Sequence, residues 1–571
     1  LVILAGASLF LISWQVVLLF VLGALFTGVI ACSSIRISTR ANIQVAEKAS
    51  SGIKETFKAA FFSGSISGIM VPTLSILLVS GLSLIFPDWE KILSFGLGAS
   101  LTALMIRTGG GLYAKAADMG SDWAGKPEGF SEDDPRNPAL VSANTGDNIS
   151  DVAGSATNFF ESSVNILSVS LVFGIILLPI FGSGAVALPL LLSSWGLVCS
   201  TAGLFLFKFA KKIKTISLFS AVLFWIGSMI LIQALTKNLD LFWPVLTGSV
   251  AGLAVSCIIA CFVSEKRKPA IRLAEKTAKG IVPTLIEGIT IGLGSLVSVS
   301  VITVLATYLA YRQADMYGLI LAVVGMFSIV VITIASETAG HIADNAGGII
   351  GLAGLSQEAH EIVASLDAMG NTRAAISKGL LSVSSLIISF VLLVYLAGSM
   401  SLDFFSMKGI IGLLAGVILP LMASAWLLRK VTASALKVSD EVKSQLDGNR
   451  TDYDSVTRLV SKAGIMSMVL IGILSLAGPI VLGKLFGLEF LSSLLLGSLI
   501  MSFLISVFCA VSGGVWDNAK KIVEKNGGAS LQTAVVGDTF GDPLKDLVGP
   551  AMSILVKVMI LASLVFLPFI S

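Results

Sequence analysis

Apolar residues run in long unbroken stretches along the whole chain, and polar residues gather between them. Many stretches reach the roughly 20 residues that a helix needs to cross a bilayer. Helix is the expected spanning element, because hydrocarbon offers no partner to an open sheet edge. A β-barrel would alternate apolar and polar positions in short strands, and runs such as Leu380 to Ala397 do not. The pattern predicts an all-α, polytopic transmembrane helix bundle, a single integral membrane domain over 1–571. About fourteen spanning helices are expected, at approximately 5–32, 58–86, 92–115, 143–179, 184–208, 215–236, 241–263, 283–310, 316–340, 375–397, 406–428, 463–483, 490–515 and 547–569.

The connections alternate in character. One set is short: Pro87 to Lys91, Phe181 to Ala187, Lys237 to Asp240, Arg312 to Asp315, Asp403 to Lys408 and Lys484 to Glu489. Their basic residues are Lys91, Lys237, Arg312, Lys408 and Lys484, and most of the 38 Lys and Arg lie in the longer polar set. The excess of basic residues places the long connections in the cytoplasm. Composition agrees with a lipid bilayer as the surrounding partner: 55% hydrophobic and 13% charged residues. A net charge of +3 excludes a nucleic-acid partner. The start, Leu1-Val2-Ile3, has no basic flank, so no signal peptide is expected. Cys257 and Cys261 share a helix face without a His or acidic neighbour, so the expected role is packing rather than metal binding.

Three polar segments on the cytoplasmic side concentrate carboxylates, Gly and Asn: Lys115 to Asp151, Glu337 to Lys378 and Asp517 to Asp546. Asp118 and Asp122 are four apart, as are Asp147 and Asp151, and Asp538, Asp542 and Asp546 repeat that spacing. On a helix each set shares one face, where like charges repel unless cations fill it. Lys115, Lys126, Lys520 and Lys545 are interleaved with these acids. Oxygen ligands with only two His in the chain point to Mg²⁺ or Ca²⁺. Carboxylate-held Mg²⁺ beside Lys ammonium groups fits phosphoryl transfer. No G-x-x-x-x-G-K-[ST] loop occurs, so a P-loop nucleotide enzyme is not expected. Gly109-Gly110-Gly111 suggests close packing or a tight helix bend.

The segments GGGLYAKAAD, EDDPRNPA, IADNAGGI, LDAMGNT, GGVWDNAKK and VVGDTFGDPLKDLVGPA resemble, in order, the signatures of membrane-bound, ion-translocating inorganic pyrophosphatases. The resemblance runs through essentially the whole chain and suggests a member without its first two helices. It implies a homodimer that hydrolyses pyrophosphate and pumps H⁺ or Na⁺. By motif position, Asp118, Asp122, Glu132, Asp147, Asp344, Asp517, Asp538 and Asp542 would hold Mg²⁺. Lys115, Asn371, Lys520 and Lys545 would contact pyrophosphate, and Asp151 and Asp546 would hold the attacking water. Ala143, Ser150, Glu337 and Gln532 depart from the usual pattern, which weakens peripheral metal binding but leaves the water-holding pair.

Arg107, Glu161 and Lys557 stand inside apolar segments, where a charge is costly and functional by default. The resemblance makes these positions the ion gate. Asn158 replaces a usual gate Asp, and Ser553 stands where sodium pumps carry another. Losing two carboxylates makes a Na⁺ site poorer, so H⁺ is the expected ion. Ala374 stands where potassium-independent members carry Lys, implying use of K⁺, while the neighbouring Arg373 offers a rival cation. Two competing readings remain: a secondary transporter, whose acids would lie at mid-membrane, and a degenerate member that no longer pumps.

Overall fold

The computed structural model describes residues 13–125, 136–210, 213–398, 405–448, 451–526 and 530–570, and every regular element among them is helical. In chain order the long helices are α1 (Trp14–Ala49), α2 (Ile53–Ile85), α3 (Ile92–Gly125), α4 (Leu140–Ile176), α5 (Gly184–Ala210), α6 (Ile213–Thr236) and α7 (Phe242–Val263). They continue with α8 (Ile281–Met326), α9 (Val330–Leu352), α10 (Gln357–Ala397), α11 (Met407–Asp447), α12 (Tyr453–Phe486), α13 (Leu488–Asn526) and α14 (Leu531–Val565). Among the described residues, thirteen continuous helical stretches are long and apolar enough to cross a membrane. One of them, Ile281–Leu352, breaks at Ala314 and Asp315, where φ of Asp315 is 53°, and its 72 residues are long enough to cross twice. The expected fourteen crossings are therefore present, and the short Arg312–Asp315 connection is this kink. The start of the first expected span, residues 5–12, lies outside the described residues.

Much of the described part of the polar segments is helical. α3 carries its helix past Asp118 and Asp122 to Gly125, and α13 runs through Asp517 to Asn526. Lys115 of α3 faces Asp147 and Asp542 of neighbouring helices, and Lys545 pairs with Asp517 of α13, so these helix ends are held by tertiary contacts rather than released to solvent.

Burial divides the helices into two rings. The most apolar stretch of Leu140–Ile176 is 89% buried within the protein, and that of Met407–Asp447 only 22%. The inner group is α3, α4, the second half of Ile281–Leu352, α10, α13 and α14. The others present Leu, Ile, Val and Phe outward, as lipid contact requires.

Helices approach closely where Gly replaces larger residues. Gly110 and Gly111 on α3 matter most. An ideal Cβ on Gly110 would lie 2.8 Å from Ile149 Cγ2, and one on Gly111 would lie 3.3 Å from the Asp546 carbonyl oxygen. The glycine run is thus a packing seat for two separate chain segments, each holding one of the acids expected to anchor water.

Candidate active site

Both of those segments are π-helical turns inside the inner helices: Asn148–Ala153 in α4 and Pro543–Val548 in α14. Such turns insert an extra residue and cluster at functional sites. Pro543 has no backbone N–H to give to an α-helical ladder, which suits the second turn. They also change the expected register. Asp151 and Asp546 lie within widened turns, so neither continues a single α-helical face with the acid four residues before it.

Charges meet above these turns. Lys115 Nζ lies 2.8 Å from Asp118 Oδ2, 3.5 Å from Asp147 Oδ1, 3.5 Å from Asp546 Oδ2 and 3.8 Å from Asp542 Oδ2. Lys545 Nζ lies 2.6 Å from Asp517 Oδ2, 3.5 Å from Asp542 Oδ1 and 3.6 Å from Asp546 Oδ2. Lys520 donates to Asp538 Oδ2 at 2.8 Å, and Asn371 Nδ2 donates to Asp517 Oδ1 at 2.7 Å. Thr539 donates to Asp122 Oδ2 at 2.9 Å. Asp151 is buried, and Ser150 donates to its Oδ1 at 3.0 Å. Carboxylates this close are tolerated away from water only with cations among them.

Asp517, Asp538 and Asp542 each offer an oxygen within 4.8 Å of the others. Three hard carboxylate oxygens from two helices fit a divalent cation of the Mg²⁺ kind. Asp344 is exposed on α9, close enough to Asp147 to repel it. Its neighbour Asn345 accepts from Asn148 Nδ2 of the first π turn at 3.2 Å. Glu132 and Lys126 lie outside the described residues.

Two cations, buried Lys378 and half-buried Lys521, were not singled out from the sequence. Lys378 donates to Asp546 Oδ1, giving that carboxylate a third ammonium neighbour. Lys521 pairs with Asp367 and lies 3.6 Å from Asp517 Oδ1. The signal for Lys378 was present: it enters the apolar run of α10, where a charge is expensive.

Further along the same helices, Glu161 of α4 pairs with Lys557 of α14. Every carboxylate oxygen of Glu161 is occupied. Oε1 accepts from Lys557 and from Ser162 at 2.9 Å, while Oε2 accepts from Ser100 at 2.9 Å and Asn165 at 2.8 Å. Arg107 is not brought to this pair. It donates to the Ser150 carbonyl at 2.7 Å and lies across Gly154, seven residues and about two helical turns before Glu161. Asn158 is buried between them in sequence, with its Oδ1 unpartnered among the described residues. Ala374 is buried on α10. Arg373 lines a cavity with Phe57, Phe61, Leu366 and Met369, away from the carboxylates, and forms no ion pair among the described residues.

Residues 1–566 match the family model described as inorganic H⁺ pyrophosphatase. A putative K⁺-stimulated pyrophosphate-energized sodium pump of Clostridium tetani is 34% identical, over 98% of this chain and 88% of that protein. A K⁺-insensitive pyrophosphate-energized proton pump of Methanosarcina mazei is 32% identical, over 96% and 87%. A K⁺-stimulated pyrophosphate-energized sodium pump of Thermotoga maritima is 29% identical, over 97% and 89%. By its match over nearly the whole length, this multi-pass membrane chain belongs to the inorganic H⁺ pyrophosphatase family.

Proposed function

We propose that the chain hydrolyses inorganic pyrophosphate to two phosphates and uses the reaction to move an ion, H⁺ in preference to Na⁺, across the membrane. The observation that carries this reading is a continuity. α4 and α14 each hold a water-anchoring acid in a π turn and, farther on, one member of the Glu161–Lys557 pair.

Pyrophosphate binds between the two lysine-centred clusters. Lys115, Lys520, Lys545 and Asn371 contact its oxygens, exchanging carboxylate partners for phosphate ones. Asp118, Asp122, Asp147, Asp344, Asp517, Asp538 and Asp542 are the metal-holding acids, and Mg²⁺ bound there supplies neutralisation of the phosphate charge. Asp151 and Asp546 orient the attacking water from the turns seated on Gly110 and Gly111, and together accept its proton. Glu161 is the gate carboxylate. Asn158, three residues before Glu161, and Ser553, four before Lys557, are both neutral, and the one carboxylate left suits a single titratable proton better than the several hard oxygens Na⁺ requires.

K⁺ serves as an activating cation, because buried Ala374 stands where potassium-independent members carry Lys, and Arg373 beside it lines a separate cavity with Phe57, Phe61, Leu366 and Met369. The excess of basic residues at the long polar helix ends supports a cytoplasmic hydrolytic end, and the family likeness implies a homodimer. A secondary transporter is disfavoured because the acids gather at one end of the inner helices instead of at their middle.

Proteoliposomes recording phosphate release with internal pH and Na⁺ test the reading. Mg²⁺-dependent phosphate release with H⁺ uptake is expected, and Glu161→Gln is expected to abolish the uptake. Absence of phosphate release overturns the hydrolase assignment, and persistent uptake in Glu161→Gln overturns the gate.

A further inference from the structure

Between the hydrolytic turns and the Glu161–Lys557 pair, the protein buries a set of polar atoms that lack hydrogen-bond partners among the described residues. Glu337 of α9 is 1% exposed. Its Oε1 accepts from Ser155 of α4 at 2.6 Å, and its Oε2 has no partner among the described residues. His341, one turn later on the same helix, directs Nε2 to within 3.8 Å of Oε1, and that nitrogen is also unpartnered. From α3, fully buried Arg107 spends only Nη1 on the Ser150 carbonyl, leaving Nε and Nη2 without partners. Asn158 Oδ1, one turn beyond Ser155, is in the same condition. The guanidinium makes no ion pair with Glu337, although that carboxylate acts on its charge together with Asp151 and Asp546.

Unpartnered buried donors and acceptors are costly, and each demands a reason. Here they cluster around Ser150, Gly154, Ser155 and Asn158, one stretch of α4 that begins at the Asp151 turn and ends just before Glu161. Glu161 itself has no open oxygen, since four donors occupy it. A proton released beside Asp151 and Asp546 therefore has no free acceptor at the gate while the Lys557 pair is intact. Glu337 Oε2 is an open, buried carboxylate oxygen along the way.

We propose that Glu337 is a second proton-carrying carboxylate, standing between the hydrolytic turns and Glu161. When water attacks phosphorus, one O–H bond breaks and its proton passes to the Asp151–Asp546 pair. It then adds to Glu337 Oε2, giving a neutral carboxylic acid with Ser155 still on the other oxygen. It leaves past Asn158 to Glu161 once Lys557 lets that carboxylate go, and Glu337 returns to its anionic form facing Arg107. His341 is the further titratable group against it. The assignment rests on Glu161 being the gate carboxylate.

The test measures H⁺ uptake per pyrophosphate hydrolysed in proteoliposomes for Glu337→Gln, Glu337→Asp and Glu161→Gln, with infrared difference spectra on adding pyrophosphate. In Glu337→Gln the uptake ratio is expected to fall about a hundredfold or more, in the range for losing a positioned proton carrier, while phosphate release persists. Glu337→Asp is expected to restore much of the ratio. A protonated-carboxyl C=O band is expected to vanish in Glu337→Gln and to remain in Glu161→Gln. A parental uptake ratio in Glu337→Gln, with uptake lost in Glu161→Gln, overturns the second carrier alone. Normal uptake in Glu161→Gln with loss in Glu337→Gln overturns the gate reading and supports Glu337. Loss of phosphate release in both Glu337 variants overturns the proposal, because the residue then serves hydrolysis itself.

Discussion

Asp546→Asn tests the water-anchoring assignment and separates chemistry from stability. The carboxylate accepts from Lys378 and lies 3.5 Å from Lys115 Nζ and 3.6 Å from Lys545 Nζ. Asparagine keeps the shape but can neither take the water's proton nor balance these cations. Loss of a positioned base costs about 10²- to 10⁴-fold in rate, or about 2.7–5.4 kcal/mol of barrier at about 1.36 kcal/mol per decade. The stability cost falls unevenly. Lys115 keeps Asp118 at 2.8 Å and Lys545 keeps Asp517 at 2.6 Å, whereas Lys378 loses its carboxylate partner. Stranding one buried charge costs about 3–5 kcal/mol as an upper bound. Asp546→Asn/Lys378→Met is thus expected to regain thermal stability without regaining turnover. The assays are phosphate release with saturating Mg²⁺, pyrophosphate binding at equilibrium, and thermal unfolding in detergent. Binding is expected to survive in both variants. Turnover near the parental rate in Asp546→Asn, or recovered in the double variant, refutes the assignment.

Gly110→Ala sets a Cβ 2.8 Å from Ile149 Cγ2, so Ile149, two residues before Asp151 in the same turn, must give way. Overpacking of this kind costs about 1–3 kcal/mol, read as a lower unfolding temperature together with slower phosphate release. Unchanged turnover would show that the glycine seat does not set the turn. For orientation, Phe405→Cys and Ser444→Cys in a background without Cys32, Cys199, Cys257, Cys261 and Cys509 mark positions just before and near the end of α11, both exposed. α11 rises about 1.5 Å per residue and outruns a hydrocarbon core of about 30 Å. Impermeant thiol reagents are expected to reach the two cysteines from opposite sides, Ser444→Cys from the cytoplasm, and labelling of both from one side refutes the topology.

The spans were legible because a bilayer imposes length and polarity on sequence directly, and the acids were legible because charge at a membrane edge is conspicuous. What sequence spacing did not convey is local winding. Asp147 with Asp151, and Asp542 with Asp546, have the four-residue spacing of an α-helical face, and nothing in the spacing announces that each second member lies in a π turn. The triple glycine suggested packing, but its partners come from segments roughly 40 and 435 residues distant in sequence, beyond any local rule. Lys378 and Glu337 were obscured differently. Each stands where a polar segment meets an apolar one, so each resembles a membrane-edge charge, and only burial shows that both are enclosed.

The two π turns also give the molecule a form of mechanical transmission. A π turn stores one residue more than an α turn, and reeling that residue in would rotate the helix beyond it by about 100° and advance it about 1.5 Å. Glu161 hangs from one such turn and Lys557 from the other. Rewinding either would swing one ion-pair partner away from its mate, like a screw thread turning a latch. Closure of the turns around substrate and release of the distant carboxylate would then be one motion, carried by the backbone itself.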